Sequence, residues 1–142
     1  MSVEQNKALI RRYIEVGWST GDMSAVSDAI APDYRRHQPN MAMAVESEKD
    51  LEQLIGMYRA GVPDLNIRVQ HIVAEGDDWV VTRVICTGTH TGELAGIPPT
   101  GKTVDFTASD IFRMADGKVV ESWHNVDDLG LLQQIGIIPA FG

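Results

Sequence analysis

Residues 103–126 read TVDFTASDIFRMADGKVVESWHNV, and this stretch decides the fold that we predict. Apolar and polar residues alternate along Thr103–Met114 with the period of a half-buried strand. Ala115-Asp116-Gly117 is a tight-turn signal, and Lys118–Val126 returns as a second strand. The stretch therefore predicts an antiparallel hairpin with one face against a core.

One face of the first strand is apolar apart from a single carboxylate, Asp110. Its members are Val104, Phe106, Ala108, Asp110, Phe112 and Met114. A carboxylate on a core-facing row must be hydrogen-bonded, paired or protonated, because an isolated buried charge is too costly. Burial also raises the pKa of a carboxyl group, which improves it as a base near neutral pH.

The turn suggests a partner for Asp110. We expect a three-residue loop, which would pair Met114 with Lys118 and keep both apolar rows on one side. Asp110 would then face Ser122, and His124 would be its diagonal neighbour on the same face. A two-residue loop would instead place Trp123 there. An inward His–Asp pair is a plausible acid/base unit, although it could equally be a structural ion pair that ties two strands together.

The remainder of the chain predicts helices that cover one face of this sheet. We predict helices over Val3–Trp18, Met23–Ala31 and from Ser47, with a short final helix over Leu129–Gln134. Further strands are expected at Leu65–Val73 and Trp79–His90, and a short one at Asp33–Gln38. Three helices followed by an antiparallel meander give a single α+β domain over residues 1–142, with a pocket beneath a curved sheet.

Composition excludes several classes of function. The 142 residues carry a formal net charge of −8, which argues against nucleic acid or an anionic membrane surface as a partner. Cys86 is the only cysteine, so no intrachain disulfide or multi-thiolate zinc site is expected, and we predict that it is buried. No metal-ligand spacing, leader peptide or membrane-spanning run occurs, and we expect a cytoplasmic protein.

The remaining histidines and the aromatic residues are weaker candidates for a site than the Asp110–His124 pair. His37 could reach the same cavity or be a surface histidine, His90 could lie at a rim or a subunit contact, and His71 could be half-buried in the core. Aromatic side chains would suit a flat apolar ligand, although they could equally be core or interface residues. The substrate-binding residues that we predict are His37, Phe106, Phe112, Tyr58 and Trp18.

Several motifs resemble the SnoaL-like polyketide cyclase (ester cyclase) family. GTHTGELAGIPPTGK at 88–102 looks like the signature of that family, and its Gly-Ile-Pro-Pro-Thr-Gly element is fairly specific. PDY at 32–34, FRM at 112–114, DGKVVESW at 116–123 and QQIG at 133–136 continue the resemblance in the same order. The resemblance covers almost the whole chain.

The resemblance implies the cone-shaped α+β fold of the nuclear transport factor 2 superfamily, in which a curved antiparallel sheet and N-terminal helices enclose a cavity. It also implies a homo-oligomer, a dimer in our prediction, and an enzyme without a cofactor. Polyketide cyclases of the family close a ring by intramolecular aldol condensation. They use an aspartate where this chain has His124 and can carry a histidine where it has Asp110, so the two residue types are exchanged here.

We therefore predict a cyclase-type enzyme that acts on a small hydrophobic or polyketide-like molecule. His124 would be the general base and acid, and Asp110 its orienting partner. One alternative is a non-catalytic protein that binds a small hydrophobic ligand. Another is a hydrolase or isomerase of the same fold. That chemistry would need a positioned water and, by analogy, an Asp–Arg–Asp cluster, and Arg113 on the predicted outward face counts against it.

Overall fold

The computed structural model describes residues 2–141. Its helices are α1 Val3–Arg12, the π-helix Tyr13–Trp18, α2 Met23–Ser27, α3 Glu48–Gly61 and α4 Asp128–Gln134. Its strands are β1 Ile30–His37, β2 Asn66–Glu75, β3 Trp79–Thr89, β4 Thr103–Ala115 and β5 Lys118–Val126. The strands form one sheet in the order β1-β5-β4-β3-β2, and the helices cover its inner face. The α+β prediction is confirmed.

The helices follow their capping signals. A capping box between Ser2 and Gln5 starts α1, and Ser47 caps α3 by accepting from the backbone N–H of Asp50. The first helix extends to Trp18 as predicted, but its last six residues are π-helical. The second helix is shorter than predicted and ends at Ser27, because the chain enters β1 at Ile30.

β1 is the strand that sequence periodicity described least well. The four strands β2–β5 form the predicted antiparallel meander, whereas β1 pairs with β5 in parallel. The pairing is irregular between Ile30 and Arg35, a segment that contains Pro32. Proline has no N–H to donate and is found on edge strands such as this one. β1 nevertheless brings one residue into the site, as shown below.

The register that we predicted for the β4–β5 hairpin is wrong, but Asp110 and His124 are neighbours on one face as predicted. The loop has two residues, Asp116 and Gly117, with φ of 52° and 73°, and Ala115 pairs with Lys118. The register then shifts, because Val120 is an extra residue on β5. This bulge restores the parity that a two-residue loop would have lost. Asp110 therefore faces His124 directly rather than diagonally.

A second bulge corrects the prediction for β2. The register shifts between Val69 and His71, so Gln70 is the extra residue. The parity of the strand reverses at this point, and side chains beyond it change face. Val73 is 58% exposed and His71 is exposed, so neither belongs to the inward row that simple alternation predicted.

The loop after β3 explains part of the glycine-rich motif. His90, predicted at a rim or a subunit contact, is fully buried, and its Nδ1 lies 2.9 Å from the Thr100 hydroxyl. Gly92 donates its N–H to the Gly61 carbonyl at 3.1 Å. Cys86 is buried as predicted.

Within residues 2–141, no helix is long and apolar enough to cross a membrane.

We predict that Gly92→Ala destabilises the fold by about 1–3 kcal/mol, because its Cβ would overlap the Ala60 carbonyl oxygen and force backbone apart. Gly56→Ala is the matched control. It lies in α3 with nothing within 4 Å of a new Cβ, so we expect it to stabilise by about 0.5–1 kcal/mol. Urea unfolding measures both changes. Equal stability of the two variants would contradict the close approach.

Candidate active site

A polar row crosses the inner face of the sheet. Thr82 on β3, Asp110 on β4 and His124 on β5 are direct cross-strand partners. All three are buried, with Asp110 6% and His124 2% exposed. Buried ionisable groups on an apolar face require hydrogen-bond partners, and the row supplies them.

A continuous chain of hydrogen bonds joins β1 to β3 through this row. The Tyr34 hydroxyl lies 2.8 Å from Ser122 Oγ, which lies 2.7 Å from His124 Nε2. His124 Nδ1 lies 2.5 Å from Asp110 Oδ1, and the Thr82 hydroxyl donates to Asp110 Oδ2 at 3.1 Å. A single direction of donation satisfies every group. Tyr34 donates to Ser122, and Ser122 donates to His124 Nε2. His124 is the neutral tautomer with its proton on Nδ1, which donates to Asp110.

Burial favours this neutral form of His124. Removal from water, together with a smaller effect of the positive charge of Arg36, lowers the pKa of the imidazole from 6.5 to about 4. The Asp110 carboxylate acts in the opposite direction but does not overcome burial. The ring of His124 is therefore neutral at neutral pH, and its Nδ1–H donates to Asp110.

Both ring nitrogens of His124 already have hydrogen-bond partners, and this changes the role that we predicted for His124. The sequence predicted the contact between Asp110 and His124 but not Ser122, which holds Nε2 and is itself completely buried. Ser122 lies two residues before His124, so strand alternation already placed it on the same face. Because Ser122 and Asp110 occupy both nitrogens, the carboxylate has the lone pairs left for a bound molecule.

The pair lies in the wall of an apolar cavity of about 50 Å³. Four predicted substrate-binding residues, Trp18, Tyr58, Phe106 and Phe112, line it. Tyr13, which sequence reasoning did not single out, also lines the cavity, and its buried hydroxyl has no partner among the described residues. Tyr13 and Trp18 both belong to the π-helix, a distortion that is frequent at functional sites.

Arg36 is the main cavity residue that the sequence analysis missed. Its Cζ lies 5.0 Å from the centre of the Trp18 ring, and its Nε and Nη2 donate to Gln38 Oε1 at 3.1 and 2.9 Å. Gln38 donates to the Tyr58 hydroxyl at 3.2 Å, and Tyr58 donates to Asp128 at 2.8 Å. A second chain of hydrogen bonds thus ends in a cation at the cavity.

His37 does not lie in the cavity, which corrects that prediction. Its Nε2 contacts Glu121 at 2.7 Å on the outer face, and its ring stacks on Trp123 with centroids 5.4 Å apart. Strand alternation places it opposite to Arg36, its neighbour on β1. Arg113 also lies outside, as predicted, and pairs with Glu121 at 3.2 Å.

The surroundings of Arg113 bear on one of the alternatives. Arg113, the arginine that the hydrolase hypothesis considered, faces away from the cavity and pairs with Glu121. Within residues 2–141, no three side chains of His, Cys, Asp or Glu are grouped to hold a metal ion. A carboxylate–imidazole pair is a group that can accept and return a proton.

We predict that acid weakens the fold through His124. Between pH 6.5 and pH 4 the unfolded chain binds a proton on this residue that the folded chain excludes, so stability falls as the pH is lowered. The loss amounts to about 3 kcal/mol. Urea unfolding across this range measures it.

His124→Gln should remove this part of the slope, because glutamine does not titrate. His71→Gln is the control, since His71 is exposed and its loss should leave the slope unchanged. An unchanged slope in His124→Gln would show that His124 titrates alike in the folded and unfolded chain.

Comparison with known proteins identifies the family of this chain. Residues 7–135 match the model of the SnoaL-like polyketide cyclase family. Nogalonic acid methyl ester cyclase of Streptomyces nogalater is 28% identical over 84% of this chain and 89% of its own length. Aklanonic acid methyl ester cyclase AcmA of Streptomyces galilaeus is 25% identical over 91% of this chain and 89% of its own.

A solved structure extends the comparison. AclR of Streptomyces galilaeus, a proposed hydroxylase, superposes with a TM-score of 0.85 at 32% identity, covering 99% of this chain and 87% of that one. The fold is therefore shared along nearly the whole chain. The family match spans most of the residues that build the cavity and both strands that carry the buried pair. This chain belongs to the family of SnoaL-like polyketide cyclases.

Proposed function

We propose that this protein is a cofactor-independent cyclase that closes a ring in a polyketide-like substrate by intramolecular aldol condensation. The observation that carries the proposal is the buried Asp110–His124 hydrogen bond in the wall of an apolar cavity. A base that is held dry beside an apolar ligand suits the removal of an acidic C–H proton next to a carbonyl. The cyclase relatives support the same class of reaction.

In this proposal a carboxylate oxygen of Asp110 accepts the substrate proton, and His124 holds Asp110 in position. This reverses the roles that we inferred from the sequence, because Ser122 already occupies the second nitrogen of His124. The substrate C–H proton moves to an Asp110 oxygen, and its electron pair becomes an enolate. The enolate carbon then attacks a second carbonyl carbon within the same molecule, and the new alkoxide takes the proton back.

The size of the substrate requires more room than the inner cavity provides. Ligand pockets usually enclose about 300–1,000 Å³. A second cavity of about 430 Å³ shares Tyr58 with the inner one, and Met41, Met57 and Leu132 contribute to its apolar lining. We place the reacting carbons beside Asp110 and the remainder of the substrate in the outer cavity. Tyr58 lines both spaces and lies at their boundary.

We predict that the wild-type protein converts nogalonic or aklanonic acid methyl ester, the compounds named for its cyclase relatives, into an isomer of equal mass. Asp110→Asn should lower kcat about 10²–10⁴-fold, because it removes the proton acceptor. His124→Gln should cost less, about 10–100-fold, since it removes a positioning contact. Chromatography with mass detection measures conversion.

Ser109→Ala is the matched control, because Ser109 is the exposed neighbour of Asp110 and points to the other face of β4. It should retain wild-type turnover. Full activity in folded Asp110→Asn would refute Asp110 as the base, and a greater loss in His124→Gln than in Asp110→Asn would restore His124 to that role. Binding of both esters without conversion would favour the ligand-binding alternative.

We also propose that a second copy of the chain covers the outer face of the sheet. Val73, Val81, Ile111 and Trp123 are successive cross-strand partners on that face and form one apolar row. Val73 and Ile111 are 58% and 42% exposed, which is unusual for large apolar side chains arranged together. A row that crosses a sheet can pair with itself about a twofold axis, which supports a homodimer.

Light scattering after size exclusion tests this assembly. We expect a dimer for the wild type and a monomer for Ile111→Lys, because a buried unpaired ammonium would be too costly in the interface. Thr107→Lys, on the same face of β4 but outside the row, should remain dimeric. A monomeric wild type would contradict the proposal.

A further inference from the structure

Arg36 is an unusual cation because it lines an apolar cavity without a direct salt bridge to any described residue. None of the described residues forms an ion pair with its guanidinium. Nε and Nη2 donate to Gln38, whereas Nη1 does not, and the Tyr34 side chain is a further polar neighbour of the guanidinium. A charged group in an apolar setting is costly unless something pairs with it. The free donors of Nη1 are therefore available to a bound molecule.

The protein holds this cation in a fixed position rather than leaving it mobile. The Trp18 ring lies beneath the guanidinium, and Gln38 accepts two of its hydrogen bonds. Gln38 is itself fixed by Tyr58, whose hydroxyl donates to Asp128. Donors that are oriented before a charge develops stabilise that charge without reorganisation.

Arg36 and the buried pair belong to the same cavity wall. Arg36 is the β1 partner of Ser122, which holds Nε2 of His124, so the two hydrogen-bond chains meet at neighbouring strands. Both Asp110 and Arg36 line the cavity. Removal of a proton at Asp110 would create negative charge on the substrate, and Arg36 is the cation that the cavity presents to it.

We infer that Arg36 binds the substrate oxygen on which negative charge develops when Asp110 removes a proton. This inference rests on the proposed function and adds to it a class of substrate: a carbonyl compound whose enolate oxygen lies against Arg36 Nη1. The C–H proton passes to Asp110, the electron pair moves to the carbonyl oxygen, and Arg36 donates a hydrogen bond while remaining protonated. The hydrogen bond weakens again when the enolate carbon attacks and the carbonyl re-forms.

A phenolate is a stable analogue of an enolate, so the ionisation of bound 4-nitrophenol can report on Arg36 directly. Asp110→Asn serves as the background, because its neutral amide resembles the protonated acid that exists after proton removal. The ratio of phenolate to phenol affinity is measured from the absorbance of the bound probe. The comparison is between D110N, D110N/R36Q, D110N/R36K and D110N/R35Q.

D110N should prefer the phenolate, and D110N/R36Q should lose about 10–100-fold of that preference, as expected for a hydrogen bond to a charged group. D110N/R36K should keep part of it through its positive charge. D110N/R35Q is the matched control, because Arg35 is exposed on the opposite face of β1 and pairs with Glu46 at 3.8 Å. Its preference should equal that of D110N.

Equal phenolate preference in D110N and folded D110N/R36Q would overturn the inference, as would failure of D110N to bind phenolate at any pH. These results do not depend on turnover. If the wild type leaves both methyl esters unconverted but the phenolate preference depends on Arg36, the cyclase proposal fails while the anion site remains. With a converted ester, R36Q should lower kcat about 10²–10³-fold and change KM little.

Discussion

The hydrogen bond between Asp110 and His124 is the constraint on which the site depends. It places a carboxylate and an imidazole on the core face of a sheet, where neither could remain alone. The contact exists because Val120 is inserted into β5, which moves every later inward residue of that strand by one position. Without the bulge, the two-residue turn would direct Trp123 into the cavity and His124 toward solvent. A local irregularity next to a tight turn thus decides the chemistry of the whole inner face.

Two hydrogen-bond chains end at the cavity, one in an acceptor and the other in donors. One runs from Tyr34 through Ser122 and His124 to Asp110 and presents an acceptor. The other runs from Asp128 through Tyr58 and Gln38 to Arg36 and presents donors. The side chains between them are mostly apolar, so the charges at the cavity are less screened than they would be in water. The same low polarity lowers the pKa of His124 and keeps its ring neutral. An acceptor and a cation around one dry space are the elements that enolate chemistry requires.

The sequence predicted the residues of the site unevenly, and the differences have physical causes. Asp110, Phe106 and Phe112 lie on the inner face as predicted, because a long regular strand keeps its period of two over many residues. Arg36 was missed and His37 was chosen instead, although the two are adjacent. Taking Tyr34 as an inward residue would have placed Arg36 inside and His37 outside by the same period. The parallel pairing of β1 with β5 confirms that parity, and no local pattern around Pro32 predicts it.

The sequence by itself determined the class of fold, the extents of the long strands, the helix cap at Ser47, and the presence of a buried His–Asp pair. These features depend on local periodicity and on short-range hydrogen bonds. Only the tertiary structure decided which atoms of the pair are free, which basic residue enters the cavity and where two strands change parity. Those outcomes depend on bulges and on contacts between residues far apart in the chain, such as Tyr34 with Ser122. These bulges and contacts form between strands that meet only in the folded chain, so no single segment of sequence predicts them.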